Sequence, residues 1–202
     1  MASPLDPFIP AYDARERFQV QVQAPATLVF DTSARFDLQS IRLVRIIFWL
    51  RGRLLGAAAS STWQSGGFFA DARRLGWGTL CEEPGRLFVA GGRCQPWLPD
   101  VTFIPLSATD FLPYAEPGQV KIAWTLEVEP LDEASCRLTT ETRAVATDPA
   151  ARRRFLHYWQ WARVGIHTIR WLVLPAIRRE AETRYRLLGA SHASGNDSRR
   201  DV

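Results

Sequence analysis

QVKIAWTLEVEP (residues 119–130) alternates polar and apolar side chains, turns through Leu131-Asp132-Glu133, and passes into a second alternating run, SCRLTTETRAVA (residues 135–146). A period of two on both sides of a short polar turn predicts an antiparallel β-hairpin. Thr147-Asp148-Pro149 follows, with a capping residue and a proline suited to a first helical turn. Beyond it Phe155, Tyr158, Trp159, Ala162, Ile166, Ile169, Val173 and Ile177 recur at three- and four-residue steps, which predicts one long helix with a continuous apolar stripe. Gly165 and Pro175 predict a bend or break in it, and Gly189 its end. A hairpin feeding a helix that must lie against a sheet is the skeleton of a cavity-forming domain.

Pairing Glu129 with Ser135 sets Ile122, Trp124 and Leu126 opposite Thr142, Thr140 and Leu138. That register keeps the apolar residues of the first strand on one side, whereas a slip of one residue mixes the faces. The other side carries Lys121, Thr125, Glu127, Arg137, Glu141 and Arg143. Its interspersed charges read as a solvated face, and Glu141 with Arg143 as a surface ion pair of little energetic weight, with a charged gate as the functional alternative.

Upstream, Pro4, Pro7 and Pro10 predict an extended arm over residues 1–14. Phe18, Val20 and Val22 alternate with glutamines as a half-buried first strand, and Pro25 opens a short helix to about Ser33. A second helix is predicted from about Ser40 to Arg51, then a Gly/Ser-rich, mobile segment over 56–75. Strands resume at Trp77–Glu82 and Leu87–Gly92 around the turn Glu83-Pro84-Gly85. Ser107 and Asp110 are spaced as a capping box for a short helix to Tyr114.

The 202 residues fit one domain with loose ends, and 47% hydrophobic residues suffice for a core. The formal charge is +4, yet Lys121 is the sole lysine, so the basic character is carried by arginine. No nucleic-acid-binding signature accompanies it, and no nucleic-acid partner is expected. Cys81, Cys94 and Cys136 are scattered and odd in number, which argues against a disulfide framework or zinc site and for a reducing, cytoplasmic setting. No metal and no cofactor are expected. The first residues contain no apolar leader core.

The order of strand, two short helices, antiparallel strands and one long terminal helix resembles the SRPBCC superfamily, with its START-like, helix-grip fold. Within it the chain is similar to a bacterial polyketide cyclase/dehydrase-like group. The residues that carry the resemblance are Ala24-Pro25, Glu83-Pro84-Gly85-Arg86, Pro96-Trp97, Asp110-Phe111 leading to Glu116-Pro117-Gly118, and Ala123-Trp124. Thr140-Glu141-Thr142-Arg143, the run from Ala146 to Phe155, and Ile177-Arg178-Arg179-Glu180-Ala181 continue it. The resemblance implies an α+β fold in which a curved antiparallel sheet wraps a long C-terminal helix, with two short helices after the first strand. It divides the chain into an arm over 1–14, one START-like domain over 15–188 and a disordered tail over 189–202. It implies a lipid, polyketide or other hydrophobic ligand held between sheet and helix, and leaves open whether a reaction occurs there.

The expected ligand-binding wall is Trp124, Leu126, Leu138, Thr140 and Thr142 from the hairpin, facing Tyr158, Trp159, Ala162 and Ile166 from the helix. Its competing reading is a filled core, in which the two threonines are the positions that most need an explanation. A cyclase or aromatase would draw on Tyr158, Thr140, Thr142 and His157. His157 and His167 diverge by roughly 80° around a straight helix and do not form a dyad. A third reading has the basic terminal helix or the apolar Ile41–Leu50 segment, with Arg42 and Arg45, dock a partner or a membrane surface; a solvated surface is preferred for the Arg-rich helix face and a lid over the cavity for the segment, and the oligomeric state is left open.

Overall fold

The computed structural model describes residues 2–41 and 66–197. The helix expected from Ser40 to Arg51, and the first part of the Gly/Ser-rich segment, lie outside the described residues. The remainder is an α+β helix-grip fold. Strands β1 (Ala14–Val22), β2 (Gly78–Glu83), β3 (Leu87–Cys94), β5 (Val120–Pro130) and β6 (Cys136–Ala146) form a curved antiparallel sheet in the order β1-β6-β5-β3-β2, and the short β4 (Ile104–Pro105) pairs with β3. Helices α1 (Ala26–Arg35) and α2 (Phe68–Arg74) and the long α4 (Pro149–Asp197) lie on one face; α3 (Ala108–Phe111) lies on the other. No helix among the described residues is long and apolar enough to cross a membrane.

The expected starts of α3 and α4 are built as their sequences dictate. Ser107 Oγ accepts from the Asp110 amide at 3.1 Å, which caps α3. Asp148 Oδ1 accepts from the amides of Ala150 and Ala151, at 2.7 and 2.9 Å, which caps α4. These bonds, and above all one from the Gly118 amide, hold the Asp148 carboxyl below the usual range.

The hairpin register differs from the expected one by two residues. Glu129 pairs with Arg137 and Trp124 with Thr142, because Ser135 belongs to the turn rather than to the strand. Asp132 organises that turn, accepting from the Ala134 amide at 2.8 Å and from Ser135 Oγ at 2.6 Å, while the amide of Leu131 donates to the Ser135 carbonyl. A shift of two leaves every side chain on its expected face.

The polar face is the larger correction: at Lys121, Thr125, Glu141 and Arg143 it is covered, and only toward Glu127 and Arg137 does it meet solvent. Residues 3–9 turn back on themselves, with the amides of Phe8 and Ile9 donating to the Leu5 carbonyl, and do not run extended. Leu5 and Ile9 are buried with Leu80, Leu87, Val89, Phe111 and Ala123 in a core on this outer face. Burial there forces each charge to find partners. Lys121 Nζ donates to the carbonyls of Phe111 and Leu112, at 3.1 and 2.9 Å, at the end of α3, and burial lowers its pKa. Glu141, 2% exposed, receives Arg143 Nε at 2.7 Å and Arg15 Nε at 3.0 Å. Arg143, 4% exposed, also reaches Asp6 at 2.7 Å and the Ile9 carbonyl at 2.8 Å, with its guanidinium over the Tyr12 ring. Glu141 and Arg143 therefore form a buried network that ties the N-terminal arm to the sheet, in place of the expected surface pair.

Helix α4 departs from expectation at its end. It is one element from Pro149 to Asp197, unbroken at Gly165 and Pro175 and running on past Gly189. Gly189 does not take the left-handed conformation that stops a helix. The helix instead tolerates Gly189 in its interior, at about 1 kcal/mol relative to alanine.

Candidate functional site

The inner face of the sheet carries two hydrophobic clusters with a polar group between them. The larger cluster joins Val22, Phe88, Trp124, Leu126, Val128 and Leu138 to α1, to Phe69 of α2, and to Val173, Leu174, Ile177 and Ala181 of α4. Aromatic rings dominate it: Phe69 stacks on Phe88 with centroids 4.0 Å apart, and Trp124 sits 5.1 Å from Phe68 and 5.5 Å from Phe88. The smaller cluster holds Ala14, Val120, Ala144 and Phe155, with Ile122, Tyr158 and Trp159 packed against it. The first clamps the middle of α4 and the second its N-terminal end.

The nine residues expected to line one wall are thus distributed over three neighbourhoods. Trp124, Leu126 and Leu138 belong to the larger cluster, Tyr158 and Trp159 to the smaller one. Thr140 and Thr142 lie between them, Ala162 is buried, and Ile166 is half-buried one turn before Arg170. His157, weighed as a catalyst, is exposed on α4.

Arg170 organises the intervening space. Its Nη1 donates to Thr140 Oγ1 and its Nη2 to Thr142 Oγ1, the latter at 2.7 Å. These two bonds supply the partners that inward-facing hydroxyls need. Burial pushes the Arg170 guanidinium down to about 10, opposed by the nearby Glu16 carboxylate, so it stays charged at neutral pH. Among the described residues no carboxylate lies within ion-pair distance of it. Glu16 is engaged instead by His167, whose Nε2 lies 2.7 Å from Glu16 Oε2, with the imidazole edge-on to Phe18 at 5.0 Å. Strand β1 brings Glu16 opposite Thr142 and Phe18 opposite Thr140, so one patch holds a guanidinium, two hydroxyls, a carboxylate and an imidazole.

Thr140 and Thr142 are residues the sequence marks out, whereas Arg170 and Glu16 are additions from the structure, although their signal is present in the sequence. Arg170 stands four residues after Ile166 and eight after Ala162, on the flank of the apolar stripe. Glu16 continues the inward alternation of Phe18, Val20 and Val22.

Around the patch, facing side chains are only half-buried. This holds for Glu16, Phe18 and Val20 of β1, Ile122, Thr142, and Ile166, Ile169 and Arg170 of α4. A side chain on the inner face of a sheet, beneath a helix, stays accessible only where helix and sheet do not seal against each other.

No family model and no curated protein matches the chain. Solved structures with a similar course of the chain include a conserved protein from Geobacillus kaustophilus, at 11% identity and a TM-score of 0.37, covering 84% of this chain and 96% of that one. A protein from Thermobifida fusca solved by NMR has 14% identity and a TM-score of 0.29, covering 83% and 92%. The Zhui aromatase/cyclase from a Streptomyces species has 16% identity and a TM-score of 0.27, covering 85% and 94%. The helix-grip assignment stands on the element order and sheet register of this chain, and these structures are neighbours of it.

Proposed function

We propose that the protein binds a hydrophobic small molecule, a lipid or polyketide, between the inner sheet face and α4, with an oxygen-bearing end held at Arg170, Thr140 and Thr142. The observation that carries this reading is the half-buried band between two sealed clusters. Phe18, Val20, Ile122, Ile166 and Ile169 offer apolar surface, and the Arg170 patch offers the few convergent polar groups that orient a ligand. A half-buried cation whose side-chain bonds go to two neutral hydroxyls gains from a carbonyl or carboxylate oxygen.

Native mass spectrometry of the purified protein, before and after organic extraction, tests the reading. A retained compound is expected in the wild type. Ile166→Trp is expected to fill the space and abolish retention while the circular dichroism spectrum is unchanged. Arg170→Met, which removes a charged hydrogen-bond donor, should weaken binding of a fluorescent fatty-acid probe by about 1.5–3 kcal/mol, roughly ten- to a hundredfold in Kd. Retention and probe binding that survive Ile166→Trp would place the ligand elsewhere or nowhere.

The Glu16–His167 contact favours a second reading, a cyclase-like enzyme in the same space, because an imidazole beside a carboxylate is a proton carrier. His167→Gln separates the two. Under binding alone it leaves the retained compound unchanged. Under catalysis it changes the mass of the compound extracted, since conversion stops.

A further inference from the structure

The outward face of α4 is as distinctive as its inward one. Residues 149–179 contain seven arginines and no aspartate or glutamate. Trp161, Val164 and Trp171 on this stretch are 41%, 64% and 74% exposed. At roughly 100° per residue they share a sector about 120° wide with Arg153 and Arg154 at one end and Arg178 and Arg179 at the other. That sector lies opposite the buried positions Phe155, Ala162, Val173 and Ile177. Among the described residues Arg178 is answered by Glu182, while Arg153, Arg154 and Arg179 have no carboxylate within ion-pair distance.

We infer that this face docks on an anionic lipid surface, with Trp161, Val164 and Trp171 entering the headgroup layer and the arginines at both ends meeting lipid phosphates. Tryptophan favours the membrane–water boundary because one part of its ring is apolar and the other a hydrogen-bond donor. Arginine at the ends of an apolar stripe adds attraction to anionic headgroups. A second copy of the chain fits the face poorly, since two such surfaces would oppose unpaired arginines with no acid to answer them. A nucleic acid fits less well than a lipid surface because Trp161, Val164 and Trp171 put apolar surface between the arginine pairs, with His157 and Gln160 beside it, rather than cations spaced for phosphates. The inference is independent of what lies on the inner side of α4.

Co-sedimentation of the full chain with vesicles tests it. Binding is expected to vesicles containing about a third phosphatidylglycerol, and little to pure phosphatidylcholine. Arg153→Glu with Arg179→Glu should weaken the anionic binding by ~30-fold. Trp161→Ser with Trp171→Ser should weaken it as well, and both pairs of exposed changes should leave the melting temperature in place. Three results would each overturn the inference: equal or absent binding to the two vesicles, binding that ignores both double variants, or equally tight binding of a DNA duplex to the same face. A concentration-dependent dimer lost on Trp171→Ser would overturn it too, by giving the face to a second copy.

Discussion

Glu141→Ala is expected to lower the free energy of unfolding by about 3–5 kcal/mol, the usual effect of removing one partner from a buried charge network. The change strips Arg143, itself 4% exposed, of its Nε partner and releases Arg15 from the sheet face. The Glu129–Arg137 pair supplies the control. Its atoms are also 3.0 Å apart, but its side chains are 39% and 41% exposed, and Glu129→Ala should change stability by about 0–1 kcal/mol. Urea denaturation of both variants measures the contrast, and equal losses would contradict the burial argument. The network also sets a pH dependence. Burial alone would raise the Glu141 pKa, but bonds from Arg15 and Arg143 outweigh it and hold the carboxyl below its ordinary value of 4.5. The stabilisation is therefore complete above that unfolded value and is lost as the pH falls through the lower folded one. Denaturation midpoints taken from pH 7 downward should stay level to about pH 5 and then fall, and Glu141→Gln should flatten that fall.

Trp124→Ala should cost a similar amount, about 3–5 kcal/mol, as large aromatic truncations in cores do. Trp124 is 6% exposed and packs against Phe68, Trp77 and Phe88, of which Phe88 is held by its stack on Phe69 and Trp77 by its stack on Phe103. For a chain of this size the melting temperature should fall by roughly 6–20 °C, read by calorimetry. A loss below about 1 kcal/mol would mean that the indole borders open space rather than core. The expected loss also makes Trp124 a poor probe of ligand uptake, because a variant that fails to bind could simply be unfolding. Ile166 and Arg170, which are half-buried, separate binding from folding more cleanly.

Periodicity made the hairpin, the first strand and the apolar stripe of α4 legible, because period and hydrophobicity are local properties of the chain. It even separated the two faces of the hairpin correctly while the register was off by two, since a shift of two residues returns each side chain to its own side. What alternation cannot tell is which face meets water. Lys121, Glu141 and Arg143 look solvated in sequence, yet the end of α3 covers the first and the N-terminal arm reaches over the charged network of the other two. The polar group under α4 escaped for a related reason. A stripe counted by its apolar members passes over Arg170, although its spacing from Ala162 and Ile166 places it beside them. His157 and His167 were compared only with each other, whereas the partner of His167 is Glu16, 151 positions upstream by the numbering and brought close by β1.

The arm that covers the outer face precedes β1, and its polar anchors lie on β6. The Ile9 carbonyl waits for Arg143, 134 positions later, and Asp13 accepts from the amide of Ala146 at a separation of 133. During ribosomal synthesis Leu5 and Ile9 have apolar partners on β2, β3 and α3 once those elements exist, but the polar ties of the arm have none until β6 has been made. A polypeptide halted before residue 143 would therefore hold its arm by apolar packing alone, without the polar ties that lock it to β6, and would leave the back of its sheet open to chaperones.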